Sequence, residues 1–272
     1  MRIRITHDTT YRYDEPVKST IQMLRLTPRG HEGQTILKWF VDTDADARLI
    51  RREDWYGNVM HTLYGHGPVQ QIRLTVTGEV ETSDTNGVIR GSVERFPEPF
   101  YLRETPLTRA DPALRNFAED AAGRLASPLD KVHALMAGIH GRMQFDTETT
   151  DAATPATEAF AAGHGVCQDF THVFIAAARS LGIPARYVSG YLHKPDEPLQ
   201  EAGHAWAEAH VEGLGWVSLD GANAISATEH YIRLAIGLDY LEAAPVRGSY
   251  YGLSHEDLDV SLRIESPRQV QS

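Results

Sequence analysis

One cysteine, Cys167, occurs among the 272 residues. It stands in Gly163-His164-Gly165-Val166-Cys167-Gln168-Asp169-Phe170, a glycine-loosened turn followed at once by an apolar-periodic run. That places a thiol at the start of a helix, where unpaired backbone N–H groups and the positive end of the helix dipole favour thiolate. A nucleophilic thiolate needs a base, and the base needs a group that orients it. Two candidates follow in the chain. The segment Gly203–Val211 alternates strictly, with Ala205, Ala207, Ala209 and Val211 on one face and His204, Trp206, Glu208 and His210 on the other. Glu212-Gly213-Leu214-Gly215 reads as a hairpin turn and Trp216–Asp220 as the return strand. His204 at the start of one strand and Asp220 at the end of the next then meet at the same end of the sheet. A carboxylate there can hold one imidazole nitrogen and leave the other to face Cys167. The chemistry would be attack on an acyl group, with chain order Cys, His, Asp.

Each residue alone has a plainer role. A lone cysteine is commonly a small buried hydrophobe, a histidine on a polar strand face a solvated hydrogen-bonder, and an aspartate after a strand a turn residue. The three on a helix start and paired strands are a less common coincidence.

The elements that must position them divide the chain in two. Residues 1–95 read as strands: Ile3, Ile5, Tyr11 and Tyr13 share parity, and Ile72, Leu74, Val76 and Val80 alternate with polar partners. Tyr56-Gly57-Asn58-Val59 supplies a tight hairpin. Short strands with frequent turns predict an all-β, sandwich-like domain over 1–95. Phe96-Pro97-Glu98-Pro99-Phe100 reads as a linker, and helices follow. Asp111-Pro112 and Ser127-Pro128 each pair an N-cap with proline at the first helical position. Thr154-Pro155 opens a short helix reaching Ala162, and Thr147–Ala153 reads as a mobile loop near the cysteine. The helix from Cys167 to about Leu181 carries Phe170, Val173, Phe174, Ala177 and Ala178 as its apolar stripe, and Gly182-Ile183-Pro184 closes it. Ala185–Tyr191 reads as a strand and His193–Ala202 as a polar loop. Ile232–Ile236 and Val260–Ile264 are further strand candidates. Helices followed by an antiparallel sheet give an α+β domain over 96–272.

Composition narrows the function classes. A net charge of −11 repels phosphate backbones, so nucleic acid is not an expected partner. No apolar run approaches a membrane span, and no signal-peptide pattern opens the chain, so neither membrane nor export is expected. One cysteine forms no intrachain disulfide and suits a reducing, cytoplasmic setting. The charge favours neutral or basic peptides as substrates only weakly, because net charge is not the potential of a cleft.

Several stretches resemble the bacterial transglutaminase-like family of papain-like cysteine peptidases and acyltransferases. They are Gly165-Val166-Cys167-Gln168-Asp169-Phe170, Leu181–Tyr191, His204-Ala205-Trp206-Ala207-Glu208 and Trp216–Asp220. Thr10–Val17, Leu24–Arg29 and Asp54–Asn58 are similar to its β-rich N-terminal domain, and Asp239-Tyr240 and Ala244–Gly248 to its C-terminal part. The resemblance spans nearly the whole chain. It implies a transglutaminase/papain-like core of helices packed on an antiparallel sheet. It also implies Cys167 as nucleophile, His204 as general base and then acid, Asp220 as the orienting carboxylate, and the Cys167 backbone N–H as part of an oxyanion hole. The tryptophan that animal transglutaminases place upstream of the cysteine has no counterpart between Trp55 and Cys167; Gln144 is the candidate substitute. Leu238 stands where the family often has an arginine before the Asp-Tyr pair.

The expected reaction is amide acyl chemistry through a thioester, with a peptide or protein as substrate and no cofactor. Hydrolysis of a peptide or isopeptide bond is favoured, because neither acidic calcium-site clusters nor the indole is found. Transfer from glutamine to an amine, or a non-catalytic binding role on the same fold, are the alternatives. A metal site is a weaker reading: His164-x-x-Cys167 is the one tightly spaced pair, and His204 and His210 stand six apart. His164 and His172 read as cleft-lining or surface residues, and Trp206 either packs over the site or serves ordinary sheet packing.

Overall fold

The computed structural model describes residues 1–266. The first strands are β1 (Arg2–Thr27), β2 (Gln34–Thr43), β3 (Ala47–Glu53), β4 (Val59–Thr82) and the short β5 (Val88–Ile89). Then come α1 (Pro112–Ala118), α2 (Pro128–Arg142), β6 (Gln144–Phe145), α3 (Ala156–Ala162), β7 (His164–Gly165) and α4 (Cys167–Ser180). The remainder is β8 (Ala185–Leu192), β9 (Leu199–Gln200), β10 (His204–Val211), β11 (Gly215–Asp220), β12 (Ile225–Ser226), β13 (Tyr231–Gly237), α5 (Tyr240–Ala243), β14 (Val246–Tyr251) and β15 (Glu256–Glu265). No helix among the described residues is long and apolar enough to cross a membrane.

The first sheet has seven strands in the order β2-β4-β1-β15-β9, with β3 on β4 and β14 on β1. Long β1 and β4 serve two halves. Residues 2–12 of β1 pair with 71–81 of β4, and 19–24 pair with 61–66; register shifts between Arg12 and Ser19 separate the halves. One apolar cluster holds Ile3, Ile5 and Ile72 from one half and Leu24 and Leu63 from the other. The sheet therefore bends over a shared core, which is the sandwich-like character the alternating pattern predicts.

The second sheet has six antiparallel strands, β12-β11-β10-β8-β13 with β5 on β11. Against it lies α4, buried from Gln168 to Arg179. Its Val173, Phe174 and Ala177 pack in one cluster with Ala205, Ala207 and Ala209 of β10. Small residues on the strand let the helix come close. Helix starts follow the sequence signals: Asp111 accepts from Leu114 N at 2.8 Å and Ser127 from Asp130 N at 3.3 Å.

The Ile232–Ile236 strand joins the second sheet as β13, as expected. The strand at Val260–Ile264 does not. It lies in β15 and pairs with β1 from Arg4 to Tyr13. Its apolar residues cover one face only, and Leu262 and Ile264 complete the core around Ile3 and Ile5. β9 and β14 also belong to the first sheet, so the span 96–272 is not confined to the second layer. Two amides tie the layers together. Gln34 bonds both the N–H and the carbonyl of Arg233, at 2.8 and 2.9 Å, and Asn58 does the same at Ile236, at 2.9 and 2.8 Å.

Candidate active site

Cys167 is the first residue of α4, half-buried, with Val166 in extended conformation before it. β7 feeds the turn, and Gly163 in left-handed conformation ends α3 just upstream. The β10–β11 hairpin forms as read, with Val211 opposite Gly215. It brings His204 Nε2 to 2.6 Å from Asp220 Oδ2. Nδ1 is then the nitrogen free to meet the thiol. Cys167 and His204 line one cleft of about 790 Å³. Burial works against a charged His204, but hydrogen bonding to Asp220 and Cys167, with their charges, pushes it up to about 10.

Asp220 is fully buried and well served. Its Oδ2 also accepts from the Tyr231 hydroxyl at 2.7 Å and from Asn223 Nδ2 at 2.7 Å. Its Oδ1 accepts from the N–H groups of Ala222 at 2.9 Å and Asn223 at 3.1 Å. Burial alone would raise this carboxyl; the donors, His204 foremost, hold it below the ordinary carboxylate range. Sequence reasoning missed Tyr231 and Asn223. Asn223 carried a faint signal, an Asx-type residue three places after the strand's last carboxylate. Tyr231 comes from a strand that pairs with β8, and no spacing rule points to it.

Trp206 is buried, its ring 28° from parallel with His204 at 6.2 Å and edge-on to Tyr231 at 5.2 Å. It backs the imidazole. Gly190, the register partner of His204, makes that possible: a Cβ there would lie 2.5 Å from the indole and 2.2 Å from the Ile232 carbonyl.

The cleft's walls come from three places. Phe145 and Thr147 come from the segment before α3; Lys194, Glu197 and Leu199 come from β9 and the loop before it. Tyr240 and Pro245, from the C-terminal motif, also line it. Lys194 is paired with Glu197 at 2.8 Å. Gln144 is exposed on β6 and is not part of the lining; Gln168 is. Tyr187 also lines the cleft, near enough to Cys167 for the thiol's charge to add to the burial that raises its phenol.

His172 departs from expectation. It neither lines the cleft nor reaches the surface: it is fully buried in α4, against the Tyr187 ring at 5.2 Å, and its Nε2 accepts from Tyr240 N at 3.1 Å. Five residues beyond Cys167, it points into the core. Burial, then the Arg179 charge, push it down to about 3. Because the unfolded histidine protonates near its ordinary value of about 6.5, stability is whole above that pH and is lost as pH falls towards 3. His172→Gln keeps an acceptor for Tyr240. It is expected to remove about 1.4 kcal/mol of destabilisation per pH unit between about pH 6 and 4, read from urea unfolding across that range.

Leu238 gives its carbonyl to a buried arginine. Arg179 of α4 donates to the Leu238 carbonyl at 2.8 Å, to Ala185 O at 2.9 Å, to Tyr101 O at 2.8 Å and to Thr108 Oγ1 at 2.6 Å.

A fold with a bent β-rich first layer, and a core that sets a helix-start cysteine before a His–Asp hairpin, is that of the transglutaminase-like proteins. The transglutaminase-like superfamily matches residues 115–221, which include Cys167, His204 and Asp220, and the bacterial transglutaminase-like N-terminal region matches residues 3–81. The chain belongs to this superfamily. An uncharacterized protein of Mycobacterium leprae (strain TN) is 31% identical over 97% of this chain and 98% of its own length. One from Mycobacterium tuberculosis H37Rv is 28% identical over 97% of this chain and 92% of its own. A solved structure of a candidate cysteine protease from Cytophaga hutchinsonii matches with a TM-score of 0.78, covering 98% of this chain and 91% of that one. At 22% identity that likeness shows the shared fold.

Proposed function

We propose that this protein is a transglutaminase-like cysteine peptidase that hydrolyses a peptide or isopeptide bond. The observation that carries the reading is the 2.6 Å His204–Asp220 bond behind the cleft that Cys167 and His204 both line. Asp220 fixes the ring and its tautomer through Nε2. His204 Nδ1 holds the proton drawn from the thiol, and Sγ attacks the carbonyl carbon. The C–N bond then breaks, the amine leaves with the proton held by His204, and a thioester remains. Water attacks the thioester while His204 again accepts a proton, releasing the carboxylate and restoring the thiol. The N–H of Cys167 has no acceptor within its own helix, as at every helix start, and serves the oxyanion. Cys167 is only partly buried, which gives water a path to the thioester. An amine entering by the same path would give transamidation instead.

The test uses a vinyl sulfone or iodoacetamide probe. With one cysteine in the chain, every labelled thiol is Cys167. The native protein is expected to label faster than the urea-unfolded chain at equal pH, and Cys167→Ala not at all. Equal rates for native and unfolded thiol would sink the reading. Incorporation of ¹⁸O from labelled water into the product carboxylate separates hydrolysis from transfer to an added amine such as dansylcadaverine.

A further inference from the structure

The Thr- and Ala-rich stretch before α3 reads as free from its composition, yet it is laced to the turn that presents Cys167. Gln144 N donates to Gly163 O at 2.9 Å and Asp146 N to Gly165 O at 3.0 Å, the two rungs of the parallel β6–β7 pair. Further along, Thr150 Oγ1 donates to Asp169 Oδ2 at 2.7 Å. The same Oδ2 accepts from Val166 N at 2.8 Å. Gln168 Nε2 adds a longer bond to Asp151 O, 3.4 Å. Between these ties the strap presents Phe145 and Thr147 to the cleft.

Asp169 is the unusual member. It is fully buried, and its Oδ1 has no partner. Helix starts are ordinarily capped by an N-cap side chain, but Val166 has no acceptor to offer. The carboxylate of the third helical residue reaches back to the Val166 N–H, as in one half of a capping box. A buried carboxylate is a costly cap, and burial accordingly pushes this carboxyl up against the pull of Thr150 and Val166. Gly165 is shaped around it: at φ +157, a Cβ there would lie 2.5 Å from Oδ2. One oxygen thus holds both the turn that aims Cys167 and the strap that walls the cleft.

We propose that Asp169 is a positioning residue and that its bond to Thr150 is a latch, so that nucleophile and cleft wall are held as one body. The proposal rests on Cys167 being the nucleophile. The two ideas separate by using two probes on wild type, Thr150→Val, Asp169→Asn and Asp169→Ala. Iodoacetamide reports the thiol alone; N-benzyloxycarbonyl-glycine p-nitrophenyl ester reports a substrate that must also sit against the wall. Thr150→Val is expected to lower kcat/KM for the ester about tenfold, chiefly through KM, since misplacement of a positioning group costs up to about a hundredfold. Its alkylation rate should move by less than about twofold. Asp169→Asn keeps an acceptor oxygen and should stay within about threefold of wild type on both probes. Asp169→Ala should lose on both. If Thr150→Val matches wild type in kcat and KM, or slows alkylation and ester turnover equally, the latch is wrong while the nucleophile stands. If wild-type Cys167 neither alkylates preferentially nor turns the ester over, the nucleophile reading fails and the latch falls with it.

Discussion

His204→Ala is expected to lower turnover of an activated ester or peptide by about 10⁴–10⁶, close to the effect of Cys167→Ala, because residues that act as a unit are lost as a unit. The geometry sets the expectation. The imidazole is held by a 2.6 Å bond to Asp220, backed by Trp206, and hydrogen-bonds Cys167. Binding should survive, since the walls are formed by other residues, so the loss should fall on kcat. The double variant should lose little more than either single one. Asp220→Asn should be milder than His204→Ala, since Tyr231 and the backbone N–H groups still hold the side chain, but it leaves the ring in the wrong tautomer. Steady-state ester turnover by Cys167→Ala, His204→Ala, the double variant and Asp220→Asn checks this. Additive losses in the double variant would show that Cys167 and His204 do not act together.

Glu208→Ala should produce the largest loss of stability. Glu208 is fully buried and accepts from Arg186 Nε at 2.7 Å and from Arg233 Nε at 2.7 Å. Arg186 is itself fully buried, bonded to Glu94 at 2.6 and 3.0 Å, with its guanidinium 3.8 Å from the Trp216 ring centre. Removing one partner of such a pair strands the other charge without water and costs about 3–5 kcal/mol. For a chain of this size that corresponds to a fall of about 6–20 °C in Tm, read by scanning calorimetry. Glu208→Gln keeps the acceptors without the charge and should lose less. Burial raises this carboxyl, but Arg233 and Arg186 outweigh it and hold it at about 2. The ordinary glutamate value lies near 4.3. The pair's contribution is therefore present above about pH 4.3 and is lost as pH falls towards 2. A melting point unchanged in Glu208→Ala would mean that Glu94 alone satisfies Arg186.

The same residue shows where sequence reading stops. The alternation in β10 places Glu208 on the polar face with His204 and His210, and a polar face suggests water. The structure packs that face, Trp206 included, with Trp216 and Tyr101, and the guanidinium groups arrive from β8 and β13. A period of two says which side chains share a face; it does not say what lies over that face. His172 fails for a related reason. A helix with one apolar stripe is expected to leave its other side wet, but α4 is buried all round between the sheet and the other helices.

Local physics alone determined a good deal. An N-cap before proline starts a helix wherever the chain lies, a glycine turn joins two alternating segments, and a hairpin of known length puts its two ends together. Those rules placed Cys167 at a helix start and brought His204 to Asp220 before any tertiary contact was known. Only the tertiary structure decided what surrounds them. Tyr231 reaches Asp220 from β13, β15 returns across the whole chain to β1, Arg179 reaches the Leu238 carbonyl from α4, and Thr150 finds Asp169. Each is a contact between elements whose separation along the chain carries no periodic signal. It arises because buried donors, acceptors and charges must find partners once water is excluded.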